Sequence, residues 1–531
     1  MPSQFSIRQQ ISKPAVTSQG GIVAAQSRKA AEIGAEVLAA GGDCIDAVVA
    51  TGFALGVVEP WNSGMGGGGA MVIYRAKENR YEVIDYGMRA PDSLRVEDYP
   101  LSNDGSVAKD IFPWARVKDD RNLSGPGSVA VPGVVAGMGD AHKRYAKLPW
   151  NELLKPSVKL AAEGLLVDWW TPAMILSSAA DLRRFPAGAA TYLRDGLPPA
   201  PQWGIKATVR LPQETLKATL SHLADAGARD FYQGDLARSI ARDVQGAGGS
   251  LSVEDLAAFT AHLREPLKIP YRGGTVFATP ELTAGPTLAH TLRLLQEQFE
   301  PAPGKPDAGA YLAYAGAVQA AYLERLKGMG DADGRRALGA EHLAPACTTH
   351  YSVVDRDGNM AAVTQTLLSN FGSKFQTPQS GIMMNNGIMW FDPTPGTTNS
   401  LAPGKRCLTN YTPVVAEAAD GRRFAVGASG GRRILPAVTQ ILSFVMDFGM
   451  DLDGAIHQPR IDASEGAIVI ADSRLSPEIR ASLAARFELE ETYQQTLPFK
   501  FACPSVVLRD GTTNSGASEV VHPWSEAVAE G

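Results

Sequence analysis

The sequence has little of what holds metals or cross-links chains. Its four cysteines, at positions 44, 347, 407 and 503, form no C-x-x-C pair. That argues against a disulfide framework or a zinc ribbon, and for a reducing compartment. Its eight histidines show no H-x-x-x-H spacing, which removes the helical zinc-hydrolase pattern. No basic surplus exists, with 50 Lys+Arg against 56 Asp+Glu, so a general nucleic-acid binder is not expected. No block of like charge, fixed-period repeat or membrane-length apolar run occurs. The longest apolar stretch, Ile45 to Val58, is broken by Asp46 and is too short to span a bilayer. The first ten residues lack an apolar h-region, so no signal peptide is read and a cytoplasmic location is expected.

Glycine is in excess: 54 of 531 residues, about one in ten against the usual ~7%. Something here needs backbone freedom or close backbone approach. Length alone allows about three or four domains. Near the start, Gly21 to Gln26 reads as a strand. A helix from Arg28 to Ala40 follows, capped by Ser27, and then a mostly apolar helix capped by Asp43 and running to about Val58. Ala70 to Tyr74 and Tyr81 to Tyr86 form a predicted hairpin. Residues 95 to 345 read mainly as helix, with Trp150 to Glu163, Leu216 to Ala226, Leu236 to Val244 and Thr287 to Phe299 amphipathic. Strand character returns at Thr348. Tyr351 to Val354 and Ala361 to Leu367 flank the turn signal Asp355-Arg-Asp-Gly-Asn359, and a second hairpin surrounds Ala419 to Arg422. Ile434 to Phe448 reads as a long apolar helix. Strands at both ends and helices between them suit stacked sheets between helical layers better than a βαβ repeat.

Two glycine motifs compete for a chemical reading. Gly64-x-Gly66-x-x-Gly69 matches a dinucleotide fingerprint, but it follows a helix and precedes a strand, the reverse of the required context. A tight turn or a pocket-lining backbone is the better reading. Gly427-Ala-Ser-Gly-Gly431 matches the nucleophile elbow, strand before and helix after, with His457 or His522 downstream as base for Ser429. No H-G-G-G oxyanion loop and no alternating βαβ pattern accompany it. Without the serine, the N–H groups of Gly430 and Gly431 before a helix still make an oxyanion site.

The stretch Cys347-Thr-Thr-His-Tyr351 leading into Asp355-Arg-Asp-Gly-Asn359 resembles the self-cleavage site of the γ-glutamyltransferase (γ-glutamyltranspeptidase) family of N-terminal-nucleophile (Ntn) hydrolases. Further segments resemble that family in its order. They are Ala40 to Val48, Val57-Val-Glu-Pro60, Ser63 to Gly69, Gly125 to Gly137, Ser380 to Asn386, Pro403-Gly-Lys-Arg406 and the pair Gly430-Gly431. The resemblance implies an α+β fold, a four-layer αββα sandwich forming one interleaved domain. It implies self-cleavage between Cys347 and Thr348, giving a large segment 1–347 and a small segment 348–531, a heterodimer that could pair again into a dimer of heterodimers. Thr348 would then be nucleophile and, through its freed α-amine, base; such an amine has a reference pKa of about 8, near working pH. Thr366 would hydrogen-bond the nucleophile, Thr349 would support it, and Gly430 and Gly431 would hold the oxyanion. No metal or cofactor is expected, and no membrane or nucleic-acid partner; the partner is a small γ-glutamyl or related amide.

The resemblance thins at substrate recognition. The family's arginine place holds Gly87, with Arg89 two residues on; its asparagine place holds Leu368. Its amine-binding acid is replaced by Trp390, with Asp392 nearby, and its paired serines by Thr409 and Asn410. Arg89, Thr349, Trp390, Thr409 and Asn410 are the substrate-binding candidates, with Trp390 expected at the rim of an open site. Three readings remain: a γ-glutamyl hydrolase or transferase, a glutaryl- or cephalosporin-type acylase, and an uncleaved binding homologue.

Overall fold

The computed structural model describes residues 8–108, 114–202, 204, 208–329, 346–497 and 499–531. Residues 1–7, on which part of the signal-peptide reading rests, lie outside them. Two seven-stranded sheets dominate, and every strand pair within them is antiparallel. The first runs Glu526–Ala529, Ile22–Ala25, Ala346–Val354, Met360–Ser369, Gly68–Arg75, Arg80–Tyr86, His262–Arg264. The second runs Val16–Ser18, Thr513–Ser518, Cys503–Asp510, Arg423–Ser429, Val414–Glu417, Gly274–Ala278, Leu267–Tyr271. Both sheets thus weave the beginning of the chain with its end.

Side-chain alternation explains how the sheets stack. Along Ile22–Ala25, Val23 and Ala25 join the core beneath the helices Arg28–Ala39, Cys44–Val58 and Val134–Tyr145. Ile22 and Ala24 point the other way, into a layer shared with Phe277, Val415, Ala425 and Val507 of the second sheet. In that second sheet Val414, Ala416, Val426 and Val506 face outward onto Gly285–Gln298, Ala308–Met329 and Ile434–Met446. Each sheet therefore has one face on its neighbour and one under helices, so its strands are apolar on both sides.

His350 sits between the sheets. Its ring touches Thr364 Oγ1 at 2.8 Å and Ser352 Oγ at 3.0 Å, and Ser352 donates onward to the Ser505 carbonyl at 3.1 Å. Ser352 must therefore accept from Nε2–H. Burial holds its pKa down, at about 3. Gly427 opposite makes room, since a Cβ there would fall 2.4 Å from the ring. This histidine joins two sheets and is committed to neither acid nor base work.

Several local expectations need correcting. Ser27 occupies the N-cap but makes no side-chain capping bond, whereas Asp43 forms a full capping box with Asp46. The middle of the chain is less helical than its composition reads. Leu267–Tyr271 and Gly274–Ala278 form an edge hairpin, turning at Arg272 and Gly273, both at positive φ. Pro270 is tolerated there because the strand is at the edge.

Candidate active site

The site begins as a defect in a strand. Along the antiparallel pair Ala346–Val354 and Met360–Ser369, Cys347 faces Leu368 while Thr349 faces Gln365, so Thr348 stands opposite two residues, Thr366 and Leu367, and the extra residue lies in the Met360–Ser369 strand. Such a bulge re-aims one side chain out of the ladder. Thr348 Oγ1 donates to Thr366 Oγ1 at 3.0 Å. The Thr366 hydroxyl donates in turn to the Cys347 carbonyl at 2.6 Å and accepts the Leu368 N–H at 2.8 Å. One donor and two lone pairs are all the hydroxyl has, and all are engaged. Leu368 adopts φ 85 to aim that N–H, a left-handed conformation costing roughly 1–2 kcal/mol for a non-glycine residue. The strain sits beside the peptide bond predicted to break.

Glycines bring the neighbouring strand close. A Cβ on Gly67 would lie 2.3 Å from the Thr366 carbonyl oxygen, and one on Gly69 2.2 Å from that of Thr364. The glycine run is a close-packing device beside Thr366, and none of its residues lines the cavity onto which Thr348 opens.

Beneath Thr348, Thr349 Oγ1 donates to the buried Glu59 carboxylate at 3.3 Å, and Asn62 Nδ2 reaches the same oxygen at 3.3 Å. Burial drives Glu59 up to about 7, against the opposing pull of Asn62 and Thr349. Sequence reasoning noted Val57-Val-Glu-Pro60 but gave Glu59 no role; a carboxylate ending a mostly apolar helix was the available signal. The raised folded pKa means the proton stabilises the fold. That stability is complete below the unfolded value near 4.5 and is lost as pH rises through about 7. Relative to Glu59→Gln, the wild type should therefore lose roughly 3 kcal/mol between pH 4 and pH 9. Parallel denaturant melts of the two proteins check this; identical pH dependence would refute it.

Thr348 opens onto a cavity of about 560 Å³, the size of a small-molecule site. Cys347, Asn370, Ser429, Gly430, Arg432, Arg433, Glu465 and Cys503 share its wall with the aromatics Trp61, Trp170, Phe499 and Phe501. Gly430 stands at φ 136 and Gly431 at φ 61, where the strand Arg423–Ser429 turns into Ile434–Met446. A Cβ on Gly430 would meet the Ala502 backbone at 3.0 Å, so the turn demands glycine.

Of the sequence-predicted residues, Cys347, Thr348 and Gly430 reach this wall, Thr366 lies directly behind it, and Thr349 is fully buried beneath. Gly431, next to Gly430 in the turn, does not line it, and neither do Arg89, Trp390, Thr409 and Asn410. Arg89 pairs with Asp92 at 2.9 Å. The Thr409 hydroxyl donates to the Leu282 carbonyl at 3.0 Å, and Asn410 accepts from Arg325 at 3.4 Å. Trp390 is not at a rim: it packs in an apolar cluster with Met88, Leu368 and Phe391 and is 3% exposed. Asp392 accepts the Thr394 N–H at 2.8 Å.

Ser429 and His522 do share the cavity wall. His522 Nδ1 accepts the backbone N–H groups of Trp524 and Ser525 at 3.3 and 3.1 Å, while burial and Lys13 push its pKa down to about 3. His457 is elsewhere, its ring 2.8 Å from the Asp453 carbonyl oxygen. Among the described residues no cluster of His, Cys, Asp or Glu is arranged to hold a metal, and no helix is long and apolar enough to cross a membrane.

A family model described as Gamma-glutamyltranspeptidase matches residues 30–346 and 336–528. The acylase ACY 1 proenzyme of Pseudomonas sp. (strain V22) is 33% identical over 502 residues, covering 89% of this chain and 88% of that one. The glutathione hydrolase proenzyme of Escherichia coli (strain K12) is 29% identical over 503 residues, covering 86% and 83%. Among solved structures, cephalosporin acylase from Bacillus halodurans superposes with a TM-score of 0.83 at 24% identity, covering 100% of this chain and 99% of that one. Helicobacter pylori gamma-glutamyltranspeptidase gives 0.51 at 27%, covering 62% and 87%.

Proposed function

The chain belongs to the gamma-glutamyltranspeptidase family, whose members are Ntn-type amide hydrolases and acyltransferases, and on that premise we propose that it cuts itself before Thr348 and then uses Thr348 as its nucleophile. The stacked sheets between helices are, in this reading, the αββα sandwich of the superfamily, and segments 1–347 and 348–531 remain together as a heterodimer. The observation that carries the reading is the Thr366 hydroxyl. It accepts the proton of Thr348 Oγ1 and donates to the Cys347 carbonyl, so it holds the attacking oxygen and polarises the bond to be attacked.

Self-cleavage follows from that geometry. Thr348 Oγ attacks the Cys347 carbonyl carbon, the C–N bond breaks, and the proton from Oγ passes to the departing nitrogen. Water then hydrolyses the Cys347 ester, leaving a carboxylate on Cys347 and a free amine on Thr348. The amine supplies the base that a peptide nitrogen cannot be. In turnover it takes the Oγ proton as Oγ attacks the substrate amide, and passes it to the leaving amine. The N–H groups of Gly430 and Gly431 stabilise the oxyanion, each worth about 3–4 kcal/mol. Water or a second amine releases the acyl group from Thr348.

Two acyl donors fit the family: γ-glutamyl, as in glutathione, and glutaryl, as in side-chain acylases. The second is favoured by one observation, that the family's amine-binding acid is here Trp390, buried among apolar side chains. Intact mass of the purified protein should give two chains meeting at Cys347 and Thr348, and one uncut chain would support the non-enzymatic reading. Turnover should rise with pH as the Thr348 amine loses its proton near its reference value of about 8. Matched γ-glutamyl and glutaryl anilides then separate the donors: γ-glutamyl preference would sink the acylase reading. Ser429→Ala should retain turnover; its loss, with Thr348→Ala active, would install the serine elbow instead.

A further inference from the structure

Among the described residues, the cavity wall carries a cation that no carboxylate bonds to directly. Three basic side chains line it: Arg432, Arg433 and Lys500. Arg433 is bonded to Glu465 at 2.8 Å and to the Phe499 carbonyl at 3.1 Å. Lys500 lies 3.3 Å from Glu490. Arg432 is 5% exposed, its guanidinium 5.1 Å above the Tyr322 ring, and its Nε has no hydrogen-bond partner. Asp462, on the strand behind, attracts it without bonding to it and stands 3.8 Å from Arg433. A buried guanidinium whose Nε is left without a hydrogen-bond partner is costly.

The remaining polar atoms of the wall share that bias. Trp61 Nε1, Trp170 Nε1 and His522 Nε2 are buried without partners. His522 Nε2 carries the ring proton, since Nδ1 accepts two backbone N–H groups. All three are donors, set against one unpartnered acceptor on the wall, Gln26 Oε1. Both wall carboxylates, Glu465 and Glu490, already hold a cation. Among the described residues, the cavity therefore offers an anion a charged donor and offers an ammonium no free carboxylate.

We propose that Arg432 is a specificity residue that binds a carboxylate at the far end of the acyl donor, so that the preferred acyl group is a dicarboxylic half-amide without an α-ammonium. The proposal rests on Thr348 being the nucleophile of this same cavity. Arg432 is two residues from Gly430, so one short turn would set both the oxyanion site and the carboxylate anchor. It replaces, from a different element, the family arginine whose place is Gly87.

The test compares processed wild type with Arg432→Met and Arg432→Lys on glutaryl, γ-glutamyl and valeryl anilides, three acyl groups of one chain length. Wild type should prefer glutaryl. Arg432→Met should raise the glutaryl KM about 10- to 100-fold, the range of one charge-assisted bond, with kcat and valeryl turnover little changed. Arg432→Lys should recover part of the loss. Equal loss on glutaryl and valeryl anilides would make Arg432 structural and overturn the proposal, as would unchanged glutaryl KM. Glutarate binding, measured by calorimetry on uncut Thr348→Ala and Thr348→Ala/Arg432→Met proteins, is independent of turnover. Binding lost with Arg432 supports the anchor even if the nucleophile reading fails, and absent or Arg432-independent binding overturns it. Melting curves of each variant separate misfolding from lost recognition.

Discussion

Thr348→Ala should leave one uncut chain and reduce amide hydrolysis by about 10⁴-fold or more, the usual scale for deleting a covalent nucleophile. Two losses coincide. The methyl that replaces the hydroxyethyl side chain carries no oxygen to attack the Cys347 carbonyl, so the peptide bond stays closed. The same deletion removes the atom that would carry the acyl group, and with the bond closed no free amine forms to act as base. Thr348→Ser separates chemistry from shape. It keeps Oγ and the free amine and loses one methyl, so it should still cut and still turn over, more slowly. The fold should be indifferent to either change, because the extra residue of the bulge lies in the opposite strand, Met360–Ser369, and the ladder continues on both sides of it. A denaturing gel and intact mass give the answer. Two chains from Thr348→Ala would remove Thr348 from both roles.

How much of this site can be read without coordinates depends on whether a residue acts through its neighbours in sequence or in space. The hairpin through Asp355 to Asn359 is legible because its turn chemistry is local: Asp355 Oδ1 accepts the N–H groups of Asp357 and Asn359. The helix Trp150–Glu163 is legible from its apolar spacing alone. Thr348, Thr366 and the glycine pair come from family resemblance, and the structure adds what resemblance does not carry, a one-residue register slip and a Leu368 held at positive φ. Arg89, Thr409 and Asn410 show the opposite case. Their chemistry suits a carboxylate, but Asp92, the Leu282 carbonyl and Arg325 engage them first, and no local pattern announces those partners. Arg432 and Arg433 are adjacent and chemically identical in sequence. Only the strand Ile461–Glu465, some thirty residues on, decides that Arg433 acquires a carboxylate and Arg432 does not.

Thr366→Val is the second large effect, and it isolates the hydroxyl that the site is built around. Valine keeps the shape and β-branching of threonine, so the strand Met360–Ser369 and the packing of Gly67 against residue 366 should persist. Three groups lose their partner at once: Thr348 Oγ1, the Cys347 carbonyl and the Leu368 N–H. Loss of the donor to the carbonyl alone should cost about 3–4 kcal/mol in the step that builds charge on that oxygen, a slowing of roughly 10²–10³-fold. Loss of the acceptor for Thr348 removes the orientation of Oγ toward the same carbon. Self-cleavage, followed over time on denaturing gels, should therefore slow by at least that factor, and Thr366→Ser, which restores the hydroxyl, should recover most of it. Once cut, the valine variant is expected to fall less in turnover than in cleavage. In the proposed mechanism the Thr348 amine then serves as base, and Gly430 and Gly431 rather than Thr366 face the substrate oxyanion. A variant that cuts at the wild-type rate would mean that the Thr348–Thr366–Cys347 chain of hydrogen bonds is not the cleavage machinery.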